Sequence, residues 1–143
     1  MLKRKVNGRQ WPLVAEVQLD FANDTVVATD GVTKPFTGAA LADLIPLPPD
    51  ATVIGGEVVV DTASNAGTSH TLSIGDSGSA TRYANAVDMK TAGRTALTLT
   101  GYRHNGEDIR ITSTPAGTQL TAGKVSIRVM YVIADRANEN QPN

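Results

Sequence analysis

The stretch Leu120-Thr-Ala-Gly-Lys-Val-Ser-Ile-Arg-Val-Met-Tyr-Val-Ile-Ala-Asp135 contains the clearest structural signal in this chain. From Lys124 its residues alternate with a period of two, which a pleated strand separates onto two faces and a helix would scatter. β-Branched and aromatic side chains favour the strand as well. The inward set is Val125, Ile127, Val129, Tyr131 and Ile133, and the outward set is Lys124, Ser126, Arg128, Met130 and Val132. The outward face becomes apolar at Met130 and Val132, which predicts either a cover within the chain or a contact with a partner.

Two further segments are also predicted to be long strands, and the rest of the chain contains only short strand candidates. Leu13–Phe21 places Leu13, Ala15, Val17, Leu19 and Phe21 inward and Val14, Glu16, Gln18 and Asp20 outward. Thr52–Thr62 is the second strong strand. About eight short strand candidates, without a helix long enough for a parallel crossover, predict an all-β antiparallel sandwich of jelly-roll or Greek-key type.

Several segments allow more specific expectations. Gly55-Gly56 predicts a bulge or bend within the second strand, with Ile54 on the same face as Val58 and Val60. Leu41–Ile45 and Val87–Ala92 each suit a single helical turn, and Ala80–Tyr83 reads as a short strand.

Composition limits the possible functions. The chain has 143 residues, 41% of them hydrophobic, a formal net charge of -1 and no cysteine. These values predict one domain with an aliphatic core, no nucleic-acid or membrane partner, and no disulfide or thiolate–metal site. The basic start at Lys3–Lys5 is followed by Pro12, Glu16 and Asp20, so a signal peptide is not expected and the chain should remain unexported. We expect a basic arm over 1–10, a domain over 11–135 and a polar tail over 136–143.

Gly75-Asp-Ser-Gly-Ser79 is similar to the serine segment of trypsin-like proteases. That chemistry requires a histidine base and a buried aspartate on a second barrel, for which this chain is too short. The only upstream histidine is His70, on the adjoining predicted strand. A tight turn explains the same residues.

No other constellation predicts catalysis or a bound cofactor. His70 and His104 do not have metal-ligand spacing, and His104 is expected to be exposed in a loop beside Tyr102. Glu107 and Asp108 are adjacent on a predicted strand, so their side chains point to opposite faces and cannot flank one bond. We expect a protein that is not an enzyme and needs no cofactor or metal.

Carbohydrate recognition is the alternative function for a small β-sandwich. Such sites usually rely on aromatic platforms, and the candidates here are Trp11, Tyr83, Tyr102 and Tyr131. Tyr131 belongs to the predicted core, and Trp11 is placed to pack at a sheet edge or in an interface. A glycan- or receptor-binding module of a phage tail or fibre is therefore the second hypothesis.

Four segments together resemble small virion proteins of tailed bacteriophages. They are Leu47-Pro-Pro-Asp-Ala-Thr-Val-Ile-Gly-Gly-Glu-Val-Val-Val-Asp-Thr62, Leu72-Ser-Ile-Gly-Asp76, Thr91-Ala-Gly-Arg-Thr95 and Ala122-Gly-Lys-Val-Ser-Ile-Arg-Val-Met-Tyr131. Within that group the chain looks most like capsid decoration (cement) proteins, and the resemblance covers roughly residues 11–135. It implies a β-sandwich or jelly-roll domain that binds the outside of the head as a homodimer or homotrimer.

The resemblance implies a location and partners but transfers no binding residue. The location would be the capsid surface of a virion assembled in the host cytoplasm, and the partners would be the major capsid protein and further copies of the chain. Fibre, tail and head–tail connector roles in the same virion stay open. From the residues themselves we expect partner contacts at the basic arm with Trp11 as an anchor, and at the apolar end of the last strand. The proposed contact residues are Lys3, Arg4, Lys5, Arg9, Trp11, Met130 and Val132.

Overall fold

The computed structural model describes residues 10–134 and contains ten strands in that range. They are β1 (Leu13–Asp20), β2 (Thr25–Val27), β3 (Thr33–Pro35), β4 (Ala40–Ile45), β5 (Ala51–Thr62), β6 (Ser69–Gly75), β7 (Ala84–Asp88), β8 (Gly93–Ala96), β9 (Ile109–Ala116) and β10 (Lys124–Ile133). The predicted arm, except for Gln10, and the predicted tail lie outside the described residues.

Eight of the strands form two antiparallel four-stranded sheets. The first sheet has the order β1-β10-β5-β8 and the second has the order β4-β9-β6-β7, while β2 and β3 form a separate hairpin. Without the hairpin, successive strands cross from one sheet to the other except at β6 and β7, which is the strand order of a jelly roll. The predicted all-β sandwich is confirmed, and the topology selects the jelly roll.

The last strand lies in the middle of the first sheet. β10 spans the predicted residues and pairs with β1 on one side and β5 on the other. Val125, Ile127 and Val129 are buried, and Tyr131 packs against the core while remaining partly exposed. The predicted inner face of β10 therefore lies at the centre of the first sheet and packs into the core.

The bulge predicted at Gly55-Gly56 is confirmed, but the face predicted for Ile54 is wrong. Met130 pairs with Gly55, whereas the next residue of β10 pairs with Val53, so Ile54 is the extra residue of β5. One unpaired residue shifts the alternation by one position. Val53 and Val58 are consequently both buried, while Ile54 is 39% exposed.

Three local predictions are wrong because pairing with neighbouring strands overrides local preference. Residues 41–45 are not helical but belong to β4, whose Ala40 and Ala42 face the core opposite β9. The segment 87–92 is not a helical turn either, because its first two residues belong to β7, paired with β6. The segment 80–83 is a turn and not a strand.

Candidate interaction surface

The side of the first sheet that faces away from the second sheet is covered by no other element among residues 10–134. We call it the outer face. The alternation that buries Val125, Ile127 and Val129 directs their neighbours in β10 onto this face, together with their partners in β1 and β5. Its central side chains are Val14, Glu16, Glu57, Arg94, Arg128 and Met130.

Four charged groups cross the outer face as a row with alternating sign. Arg128 lies between Glu16 and Glu57, to which it donates hydrogen bonds of 2.9 and 2.8 Å. Arg94, on β8, pairs with Val59, two residues further along β5, and its side chain reaches Glu57 to donate a further bond. The order from β1 to β8 is therefore negative, positive, negative, positive, and the net charge of the row is zero.

The two central groups of the row, Glu57 and Arg128, are stabilised in their charged forms. Hydrogen bonds from Arg94, and then from Arg128, hold the pKa of Glu57 below its ordinary value. Glu16 and then Glu57 raise the pKa of Arg128. All four groups remain partly exposed to solvent, so their mutual attraction is screened by salt.

An apolar strip runs beside this charged row. Val14 pairs with Met130, and Met130 pairs with Gly55, so the three residues lie side by side across β1, β10 and β5. The Met130 side chain lies over Gly55, because its Cε is 2.9 Å from where a Cβ on that glycine would be. A shallow hollow of about 240 Å³ opens between Val14, Met130 and the charged row.

Glycine is required at position 56, which lies at the floor of this hollow. Its φ angle is +149°, and a Cβ there would come within 2.4 Å of the carbonyl oxygen of Arg128. Only glycine adopts that conformation without a clash. Glycine at position 56 therefore allows β5 to pass close to β10 beside the bulge.

The described residues include three of the seven predicted contact residues. Met130 and Val132 are half-buried on the outer face, and Trp11 is 66% exposed just before β1. Lys3, Arg4, Lys5 and Arg9 lie outside the described residues. Val14 was not among the predicted contacts, although it is 65% exposed and lies opposite Met130. Its outward position in the alternation was the signal that could have found it.

Gln10 fixes the point at which the arm joins the domain. Its side-chain amide donates a 2.6 Å hydrogen bond to the carbonyl oxygen of Ile133 and accepts a 2.8 Å bond from the amide of the same residue. The side-chain amide thus forms with Ile133 the pair of hydrogen bonds that the backbone of a neighbouring strand would form. Gln10 is therefore held at the end of β10, directly before Trp11.

The prediction that His104 is exposed is wrong. The ring is fully buried, with Nδ1 3.1 Å from the carbonyl oxygen of Glu107 and Nε2 2.5 Å from the hydroxyl of Tyr83. Because a carbonyl can only accept, Nδ1 donates to Glu107, while Nε2 and the Tyr83 hydroxyl share the second hydrogen bond. Burial also raises the pKa of Tyr83 to about 12. His104 thus joins its loop to the core.

A neighbouring ion pair lies within the loop between β6 and β7, and its arginine contacts the loop between β8 and β9. Arg82 donates to Asp76 at 2.5 Å, and its guanidinium lies 3.6 Å from the ring centroid of Tyr102. Tyr102 in turn donates a 3.0 Å hydrogen bond to Glu107. These contacts stabilise the loops and leave no free acid–base pair within this cluster.

The segment 75–79 is the tight turn that the sequence predicted. The carboxylate of Asp76 accepts bonds of 2.9 Å from the backbone amides of Gly78 and Ser79. His70 is buried and bonds to Ser113 at 2.9 Å, so it is not paired with the serine of the turn. The arrangement needed to activate Ser77 is absent between these residues.

The described aromatic residues do not form an exposed platform for a sugar. Tyr83 is buried, Tyr102 lies beneath Arg82, and Tyr131 packs against the core. Trp11 is the one strongly exposed side chain of the four candidates. Between residues 10 and 134 we also find no group of side chains suited to hold a metal ion and no helix that could cross a membrane.

Comparison with known proteins identifies the fold. No protein-family model matches the chain, and no curated protein sequence is significantly similar to it. Among solved structures, a chain of the capsid asymmetric unit of cyanophage Pam1 is 24% identical with a TM-score of 0.60, covering 92% of this chain and 94% of that one. A chain of the acid-stable capsid of Helicobacter pylori bacteriophage KHP30 is 16% identical with a TM-score of 0.58, covering 85% and 87%.

A third similar structure is the capsid of Ralstonia phage GP4, with 16% identity, a TM-score of 0.53, and coverage of 94% of this chain and 91% of that one. At these identities the similarity establishes a shared fold. Since each alignment covers most of both chains, each matched chain is itself a small domain of similar length.

Proposed function

We propose that this protein is a non-enzymatic structural component of a tailed-phage virion, which binds the outside of the capsid and bridges neighbouring major capsid subunits. One observation carries the proposal: the chain shares its fold, nearly from end to end, with small chains from three phage capsid structures. The resemblance of its sequence segments to decoration proteins supports the same function.

The architecture suits a protein that reinforces a shell. Two antiparallel sheets joined by a continuous core make a stiff unit, which can resist being stretched when it is attached at two points. Many copies on one particle add their contacts through multivalency, so each interface can be modest. Bridging adjacent shell subunits would then oppose the outward pressure of packaged DNA.

The proposed attachment to the shell is the basic arm together with Trp11. Lys3, Arg4, Lys5 and Arg9 carry four positive charges within the first nine residues. Trp11 adds a large exposed side chain of the kind that is enriched among the dominant residues of protein interfaces. Gln10 holds the start of this attachment at the end of β10.

Co-sedimentation with heads of the phage that encodes the chain tests this attachment. Deleting residues 1–10 should abolish binding, and Trp11→Ala should weaken it at least tenfold, since removing a dominant interface residue costs about 2 kcal/mol or more. Deleting the polar tail 136–143 is the matched control and should leave binding unchanged. Full binding by the arm deletion would contradict the proposed attachment.

A further inference from the structure

We infer that the free edge of β1 accepts an extended segment of the major capsid protein as a fifth strand of the first sheet, an inference that rests on the proposed function. The segment runs antiparallel to β1 and pairs with the backbone of Val14, Glu16 and Gln18. Strand addition of this kind takes its affinity from main-chain hydrogen bonds and its specificity from alternate side chains.

The ladder between β1 and β10 shows which backbone groups of β1 point outward. Just beyond the last pair of the register, the amide of Phe21 donates a 2.9 Å hydrogen bond to the carbonyl oxygen of Gly123. In an antiparallel ladder, residues that bond to the partner strand alternate with residues whose amide and carbonyl groups point away from it. Counting back from Phe21, the even-numbered residues of β1 point away from β10. They are Val14, Glu16, Gln18 and Asp20.

Three of these four residues present free backbone groups. The amide of Asp20 donates a 2.8 Å bond to the carboxylate of Asp24, and its carbonyl oxygen accepts bonds from two amides of the following turn. The backbones of Val14, Glu16 and Gln18 make no hydrogen bond on the free side among residues 10–134. They offer donors and acceptors over about 13 Å of strand, in the spacing that an added strand requires.

The other three edges of the two four-stranded sheets carry features that hinder strand addition. β8 has only four residues and begins at Gly93 with a φ of +155°. β7 has five residues, an irregular register with β6 and a φ of +50° at Ala86. On β4 the carbonyl oxygen of Leu41 already accepts a 3.0 Å bond from the amide of Thr29. In contrast, β1 keeps eight consecutive pairs with β10 and contains no proline, lysine or arginine.

The side chains of β1 determine the chemistry of the added segment. Ala15 and Val17 face the core but are only half-buried, so apolar side chains on that side of the segment would extend the core. On the outer face, Glu16 is the negative end of the charged row and favours a lysine or arginine beside it on the added strand. β1 follows directly on Gln10 and Trp11, so a shell segment at this edge is continuous with the proposed attachment.

Amide hydrogen exchange on the chain bound to heads of the encoding phage tests this pairing residue by residue. In the free chain the amides of Glu16 and Gln18 should exchange rapidly, and binding to heads should slow both at least tenfold. The edge of β8 is the matched control. There the amide of Leu97 bonds to β5, so the amides of Arg94 and Ala96 point outward, and their exchange should be unchanged.

Proline substitutions test the same edge by co-sedimentation. Gln18→Pro removes one outward amide and obstructs a neighbouring strand without removing a bond to β10, so it should weaken binding to heads at least tenfold. Ala96→Pro places the same residue on the free edge of β8 and should leave binding unchanged. If circular dichroism shows that a proline variant is unfolded, Glu16→Lys takes its place and should weaken binding at least threefold by repelling the basic residue. Asp30→Lys, at an exposed pair on the hairpin, is its control.

Failure of the strand pairing and failure of the proposed function give different results. A chain that does not bind heads contradicts both. Binding that leaves the amides of Glu16 and Gln18 in rapid exchange, or that the edge variants leave at full strength, contradicts the pairing alone. Protection of the same two amides in the free chain, together with a dimer in sedimentation equilibrium, would assign the edge to a second copy and would also overturn the inference.

Discussion

The buried ring of His70 should make the domain less stable in mildly acidic solution. The ring has no exposed surface, lies with its centroid 4.5 Å from that of Phe21, and bonds to Ser113 through Nε2. Its Nδ1 has no hydrogen-bond partner among residues 10–134. Burial lowers the pKa of His70 from 6.5 to about 4, and the attraction of Asp88 offsets only part of this shift.

The sign of the effect follows from proton binding. Between pH 4 and 6.5 the unfolded chain binds a proton at this histidine and the folded chain does not, so the free energy of unfolding decreases as pH falls through that range. From the two pKa values, lowering the pH from about 7.5 to about 5 removes about 2 kcal/mol. The carboxylates whose pKa values are lowered in the folded chain have ordinary pKa values of 3.8 or 4.5. They therefore contribute little to the change in the free energy of unfolding between about pH 7.5 and about pH 5.

Urea unfolding at the two pH values measures the effect. His70→Gln removes the titration, and its loss of stability between the two pH values should be about 2 kcal/mol smaller than that of the wild-type chain. The slope of the free energy with urea should stay constant, which excludes a change in the denatured state. An equal pH dependence in wild type and His70→Gln would refute the reasoning.

Three further predictions concern the fold and are checked by urea or thermal unfolding. Gly56→Ala should lower the free energy of unfolding by at least about 2 kcal/mol, because its Cβ would meet the Arg128 carbonyl. Gly38→Ala, where the space is open, should lower it by less than about 0.5 kcal/mol. Equal losses in the two variants would contradict this account. Asp76→Asn should cost about 3 kcal/mol by leaving Arg82 unpaired in a half-buried position, while Asp30→Asn at the exposed pair with Lys34 should stay within about 0.5 kcal/mol. Tyr83→Phe should cost about 1 to 2 kcal/mol, because Nε2 of buried His104 loses its partner, and an unchanged midpoint would show that this bond contributes nothing.

The long strands could be predicted from the sequence because they are alternating and half-buried. Lys124–Ile133 and Leu13–Asp20 each have one face on the core and one face directed away from it. Apolar and polar residues therefore alternate along both segments. Gly55-Gly56 likewise predicted the bulge, since glycine within a strand weakens the strand and often marks a bulge or a bend. Which face of the sheet carries the Ile54 side chain depends on how β5 pairs with β10, and this pairing cannot be read from the sequence alone.

Short elements and the interaction surface could not be predicted in the same way. β4 and β7 bury small residues such as Ala42 and Ala84, whose hydrophobicity is too low to produce a clear period. His104 has polar neighbours in the chain, and its burial results from contacts with Tyr83 and the backbone of Glu107. The charged row joins Glu16 to Arg128 across 112 positions, so its alternating order appears only once the strands are paired.

Imaging of assembled heads tests the central proposal most directly. Heads formed from the major capsid protein of the encoding phage would be reconstructed by cryo-electron microscopy before and after addition of the purified chain. We predict new density on the outer surface, with the shape of this jelly roll, between neighbouring capsid subunits. Identical maps at saturating concentrations of the folded chain would contradict the proposed function.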